Sequence, residues 1–253
     1  MTLPEPSTAA VAALAPSGTL RAAINLSNVL LITGTGADGE PQGVSPDMAA
    51  ALATRLGVDL ELLRYESPGA VADDAASGTW DIGNIGAEPQ RAEHIHFTAA
   101  YAEIDATCLV RADSDITSID QVDQPGRTVV SAARTAYGLW LARNLTRATL
   151  HRSDDKTAVH DLWVDGGHDA LAGLRPGLLT DLERTPGARL LDGRFTAVRQ
   201  AVGTPRGRDE AGIDYLHRFV EAAKASGLVA ELIARHGVHG RLSVAPPAAG
   251  ATS

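Results

Sequence analysis

Twice along these 253 residues, short apolar runs of strand length alternate with segments of helical period. That alternation restricts the chain to an α/β architecture with a mainly parallel sheet. The first pass has a strand at 20–24 and a helix opening at Ser45-Pro46-Asp47. Ser45 is expected there as N-cap, Pro46 at the first helical position and Asp47 beside the positive helix end. Met48, Ala51, Leu52 and Leu56 form its apolar stripe, and Gly57 ends it. A strand at 58–63, a short helix at 69–77 and a strand at 80–87 follow. After Arg111 the pattern restarts: strand 127–131, helix 135–145, a strand at Leu150, helix 157–163 and strand 169–174. A strand at 195–202 leads into helices 213–225 and 228–236, broken by Gly227. Two similar halves predict a bilobal protein with a ligand cleft. The chain crosses near 106–110 and 197–203, and two crossing strands make a hinge. The expected division is lobe 1 at 19–107 plus 203–243 and lobe 2 at 108–202, with flexible tails at 1–18 and 244–253.

A formal net charge of -9 without a polybasic run argues against nucleic acid or anionic lipid as partners. No apolar run approaches the ~18 residues of a membrane span. The single cysteine, Cys108, lies in an apolar strand and reads as a buried, inert thiol. The N-terminus lacks the positive and apolar regions of a leader. As written the chain reads as cytoplasmic, or as periplasmic if a leader was removed ahead of Met1.

Residues 80–111, WDIGNIGAEPQRAEHIHFTAAYAEIDATCLVR, carry the clearest functional signal. Arg91 follows a buried strand end, where an open α/β sheet offers a ligand site, and its planar fork suits a carboxylate. The bland alternative is a surface salt bridge. Glu88 reads either as part of that site or as an acidic first-turn residue paired with Arg91. Asn25 and Asn28, at the end of the first strand, read as ligand contacts or as turn chemistry. Arg134-Thr135 reads as a second cation at the site or as an ordinary helix start capped by Thr135. Gly34-x-Gly36-x-x-Gly39 matches a dinucleotide fingerprint by letter, but no helix opens at its third glycine, so a hairpin-like loop is expected. His94-x-His96 has no further ligand nearby, so neither a metal nor a cofactor is expected.

Six segments, in order, resemble the family 3 extracellular solute-binding proteins, the amino-acid-type receptors of ABC transporters. They are TLRAAIN, GEPQGVSPDMAAALATRLG, WDIGNIGAEPQRAEHIHFTAAY, IDQVDQPGRTVVSAARTAYGLWL, GGHDALAGL and FVEAAKASGLVAELIARHG. The resemblance implies a two-lobed, type II periplasmic-binding-protein-like fold. It places Arg91 where the family grips a ligand's α-carboxylate. Asn84, Gly86 and Glu88 stand where the family usually carries Ser or Thr. Arg134-Thr135 matches the family's Gly-Thr turn in the second lobe, flanked by Ser131 and Tyr137. Leu174, followed by Arg175, occupies the place of the Asp that binds the α-ammonium. Asn28 and Leu30 replace aromatic residues that stack on the ligand.

The function implied is a non-enzymatic receptor that closes two lobes on a small carboxylate-bearing ligand, an amino acid or an organic acid. An ABC transporter permease is the implied partner, and a monomer is expected. The alternatives are a cytoplasmic enzyme on this fold, dehydratase- or lyase-like, with Glu88 as acid or base, and a cytoplasmic ligand sensor. No catalytic residue is otherwise expected.

Overall fold

The computed structural model describes residues 2–248. In chain order it contains α1 (Thr8–Leu14), β1 (Thr19–Asn25), β2 (Gly34–Thr35), β3 (Pro41–Gln42), α2 (Val44–Leu56), β4 (Asp59–Tyr65), α3 (Pro68–Asp73) and β5 (Ile82–Gly86). β6 (Ile95–Arg111), β7 (Thr128–Ala132), α4 (Ala136–Asn144), β8 (Thr149–Ser153), α5 (Val159–Asp165), β9 (Ala170–Leu174), α6 (Arg175–Arg184) and β10 (Ala188–Leu190) follow. β11 (Thr196–Pro205), α7 (Glu210–Ala225), α8 (Leu228–Arg235) and β12 (Ser243–Val244) complete the chain. It divides into two compact units, residues 1–103 with 199–253, and residues 104–198. β6 and β11 each run from one unit into the other. They cross at 103/104 and 198/199, against 107/108 and 202/203 expected from sequence.

In the first unit β1 is flanked in parallel by β4 and β5, with Ala22 opposite Leu62 on one side and Ile82 on the other. β11 joins β5 antiparallel. The connections carry α2 and α3, because parallel neighbours need a crossover. Ala23, Val71, Trp80 and Ile85 form a core beneath α3.

The second unit repeats this plan. β7 is flanked in parallel by β8 and β9, and β6 lies antiparallel beside β9. Val130 and Ala132 of β7 enter one core with Trp163, whereas Val129 enters another with Cys108 and Leu141, as the two-residue period of a strand requires.

Several elements differ from the sequence reading. Residues 8–14, assigned to the N-terminal tail, form α1. Ser7 accepts a hydrogen bond from Ala10 N, and Ala10 and Leu14 are buried. α1 lies so close to α7 that a Cβ at Gly212 would sit 2.8 Å from that of Ala13. Ahead of α1, Arg55 binds the carbonyls of Leu3 and Pro4. At the other end β12 pairs with Ala102 and Glu103, and Lys224 Nζ binds the Pro246 carbonyl. The rest of that expected tail, 249–253, lies outside the described residues. α6 and β10 arise in a stretch left unassigned from sequence. α2 starts one residue before Ser45, with Gly43 as N-cap. Gly43 has φ 155°, and a Cβ there would lie 2.0 Å from the Leu31 carbonyl oxygen, so only glycine lets the chain turn into the helix at this point. Ser45 is therefore inside the first turn and does not cap it.

Candidate functional site

Each unit has a topological switch point. In the first, the chain leaves β1 for β4 on one side and returns to β5 on the other, giving the order β4-β1-β5. In the second, β8-β7-β9 repeats that order around β7. Open α/β sheets bind ligands outside the carboxyl ends of strands at such points, where the loops diverge and leave a crevice. The residues singled out from sequence lie in these strands or shortly after them: Asn25, Asn84 and Gly86 in β1 and β5, with Asn28, Glu88 and Arg91 beyond; Ser131 and Leu174 in β7 and β9, with Arg134, Thr135, Tyr137 and Arg175 beyond.

In the first unit Arg91 begins a short 3-10 turn just beyond β5 and is only 5 % exposed. Its Nη1 donates to the Gly86 carbonyl at 2.7 Å, which anchors the guanidinium against the strand end from which it came. Glu88 is half-buried in the same loop, and its carbonyl accepts from Ala92 N. Asn25 Oδ1 accepts from Ser27 N and Oγ, and Asn28 Oδ1 accepts from Leu30 N. Both carboxamide oxygens thus hold the turn after β1, and Nδ2 is the group each can offer a ligand. Asn84 lies deeper. It is 2 % exposed, and its Nδ2 donates to the Ser45 carbonyl at 3.0 Å.

In the second unit Thr135 N-caps α4. Its Oγ1 accepts from Gly138 N at 3.1 Å and donates to the Ala132 carbonyl at 2.9 Å. Arg134, just before it, is exposed and has φ 58°, the one positive φ among the described non-glycine residues. Left-handed backbone costs a non-glycine residue on the order of 1–2 kcal/mol. Tyr137 is buried, and burial is the main cause that pushes its phenol up to about 12. Ser131 is fully buried. Leu174 precedes α6 as its N-cap residue with no side-chain bond, so no carboxylate stands at that position. Arg175 reaches the Gly193 carbonyl and lies 4.0 Å from Asp105, which Arg194 also binds.

The Gly34-x-Gly36 segment forms the β2–β3 hairpin, with no helix opening at Gly39. Ser45, expected as a helix cap, is instead buried, and its carbonyl accepts from Asn84 across 39 residues, a contact that no local signal marks.

The family model of the bacterial extracellular solute-binding proteins, family 3, matches residues 32–239. A search of the curated proteins returns no match. Among solved structures, a solute receptor for L-cysteine of Neisseria gonorrhoeae is 21% identical with a TM-score of 0.72, over 93% of this chain and 99% of that one. An amino acid ABC transporter substrate-binding protein from Streptococcus pneumoniae, bound to L-arginine, is 21% identical with a TM-score of 0.68, over 88% and 96%. An ancestral amino acid-binding protein, a precursor of cyclohexadienyl dehydratase, is 20% identical with a TM-score of 0.68, over 89% and 98%. These likenesses show the fold, the two-lobed type II periplasmic-binding-protein architecture. By the family match over well more than half of its length, the chain belongs to the bacterial extracellular solute-binding proteins, family 3.

Proposed function

We propose that this solute-binding protein takes a small carboxylate-bearing solute, an amino acid or organic acid, and serves an ABC transporter. The observation that carries the reading is Arg91, an almost fully buried cation held at the carboxyl end of β5 by its own strand. A guanidinium fixed in this way pairs with a carboxylate at low cost in entropy, because its fork is already oriented. Asn25, Asn28, Gly86 and Glu88 form the remainder of the proposed site in this unit. In the second unit Ser131, Arg134, Thr135, Tyr137, Leu174 and Arg175 are proposed as further solute contacts. The neighbours that bind L-arginine, lysine and L-cysteine support the amino-acid class. Leu174, with no carboxylate for an ammonium, favours the organic-acid end of that range. A location outside the cytoplasm and a monomeric receptor that meets a permease are part of the same proposal.

A thermal-shift screen of amino acids, dicarboxylates and aromatic acids tests this reading. A bound ligand raises the unfolding temperature through RT ln(1 + [L]/Kd). Wild type should respond to at least one acid and Arg91→Ala should lose that response, while a variant that keeps it in full removes Arg91 from the site. The dehydratase precursor among the neighbours motivates one further arm, product analysis by mass spectrometry after incubation with any acid that binds. Unchanged ligand at stoichiometric occupancy supports a receptor, and turnover would reassign Glu88 as an acid or base.

A further inference from the structure

Inside the second unit, α5 meets the end of α6 at His160, whose side chain is 11% exposed. Its Nδ1 lies 3.0 Å from Asp161 Oδ1, and its Nε2 lies 2.7 Å from Thr185 Oγ1. Thr185 Oγ1 in turn donates to the Asp181 carbonyl at 2.9 Å, back across the last turn of α6.

These contacts fix where the hydrogens are. An ionised carboxylate only accepts, so the Asp161 contact needs a hydrogen on Nδ1. A threonine hydroxyl has a single hydrogen, and that of Thr185 is committed to the Asp181 carbonyl, so its contact with the ring needs a hydrogen on Nε2. Neutral imidazole carries a hydrogen on only one ring nitrogen, and imidazolium carries one on each. The full chain of bonds therefore exists only on imidazolium. A neutral ring gives up one link. Either a lone pair faces Asp161, or Thr185 turns its hydrogen to Nε2 and releases the Asp181 carbonyl.

The charges around the ring favour the added proton. Asp161 and Asp181 are the nearby carboxylates, and Arg184 opposes the charge from 3.8 Å beyond Asp161 and 3.5 Å beyond Asp181. Burial pushes the Asp181 carboxyl up, and His160 and Arg184 act against that push. Tyr137 of α4 lies near Asp181, and burial keeps its phenol neutral. The Trp163 ring stands edge-on to His160 with centroids 6.2 Å apart, and Arg111 of β6 lies over that indole at 5.4 Å.

We infer that His160 is a proton-dependent clasp between α5 and the end of α6, complete when both ring nitrogens carry hydrogens and short of one link when either is lost. Histidine is the side chain that ordinarily changes charge between about pH 5 and 8. A proton held more tightly by the folded chain adds stability at low pH, and that stability is lost as pH rises. Mild acid therefore tightens the second unit at this point. The clasp fixes the far end of the helix that opens with Arg175, and it does not depend on a bound solute.

Nitrogen-15 NMR of wild-type protein with labelled histidines, from about pH 5.5 to about pH 8, tests the clasp, with His160→Gln assigning the signals. The expected result is a His160 ring with hydrogens on both nitrogens at the lower pH and on one at the higher. A ring with one hydrogen across the whole range would overturn the inference. Urea midpoints of wild type and His160→Gln give an independent reading. Wild type should lead at the lower pH, and that lead should shrink by half or more at the higher. A lead that stays constant or grows with pH contradicts a proton-dependent link. Thr185→Val, which removes the acceptor for Nε2, should likewise flatten the pH dependence, and a variant that keeps it in full removes Thr185 from the clasp.

Discussion

The Asp81 carboxylate holds the Arg21 guanidinium in a two-pronged grip, with Arg21 Nε 2.9 Å from Oδ2 and Nη2 2.9 Å from Oδ1. Asp81 is fully buried, and Arg208, just beyond β11, binds the same carboxylate while its Nη1 reaches the Ala13 carbonyl in the last turn of α1. Arg21 N also donates to Oδ2, and Thr204 Oγ1 donates to the Asp81 carbonyl. Asp81, through its carboxylate and its carbonyl, thereby ties the amino ends of β1 and β5 to the carboxyl end of the antiparallel β11 and to α1, opposite the ends of β1 and β5 near Arg91. The site residues can be shaped for a ligand because the scaffold is secured elsewhere.

Replacing Asp81 should therefore damage stability and leave solute recognition intact in whatever fraction folds. Breaking a buried ion pair by removing one partner costs about 3–5 kcal/mol. The low end is expected for Asp81→Ala, since Arg21 and Arg208 keep side-chain exposures of 26% and 17% and can turn to water. Arg208→Ala should cost less, because Arg21 still neutralises the carboxylate. Urea denaturation checks the ranking, and an Asp81→Ala loss no larger than that of Arg208→Ala would contradict it.

Gly43→Ala tests the start of α2. The backbone conformation alone costs a non-glycine residue on the order of 1–3 kcal/mol, and a methyl 2.0 Å from the Leu31 carbonyl oxygen cannot fit without moving the chain. Moving it would disturb the Ser45 N bond to that carbonyl and the position of Asn84's acceptor. The expected outcome is a melting temperature lowered by several degrees, against little change for Gly177→Ala in α6, which is not among the positive-φ glycines and whose added methyl meets nothing within 4 Å.

Much of this organisation can be read from the chain. β1, β5, β7 and β9 are compact apolar runs bounded by turn residues, and their carboxyl ends follow once the alternation is recognised. Arg91 stands out because a permanent cation directly after such a run has few structural uses. What escapes is non-local. α6 buries only Leu178, so its charged sequence shows no apolar stripe. α1 is held by Gly212, nearly two hundred residues away in sequence. Ser45 has the composition of a cap, and only Gly43's approach to Leu31 shifts the helix start and turns Ser45 inward. Asn84 reads as a site residue by position, yet its amide is bound to the Ser45 carbonyl, a contact spanning 39 residues.

Cys108 should be silent to thiol reagents in the native protein. It is buried in β6, and burial pushes its thiol up to about 12, so almost no thiolate exists at pH 8. Labelling by a disulfide-exchange reagent is expected only after unfolding in urea. Stoichiometric labelling without denaturant would show that β6 opens readily or that the strand is placed differently.

Asp123 should make the second unit acid-sensitive over a defined range. Its carboxylate accepts from the backbone N–H groups of Thr146, Arg147 and Ala148 and from Thr146 Oγ1. Partial burial raises the carboxyl's pKa, but these donors outweigh it and bring it down to about 2. An unfolded aspartate titrates near 3.9. A group whose pKa falls on folding adds stability above its unfolded value, and that stability is lost as pH drops through the folded one. The contribution should be complete at pH 5 and should disappear between about pH 4 and pH 2. Its size is on the order of 1–2 kcal/mol once solvent screening at this accessible loop is allowed for. Asp123→Asn should therefore lie below wild type in urea midpoint at pH 5 and converge on it as pH falls to about 2. A gap that stays constant across that range would mean that the carboxylate's charge plays no part in holding the loop before β8.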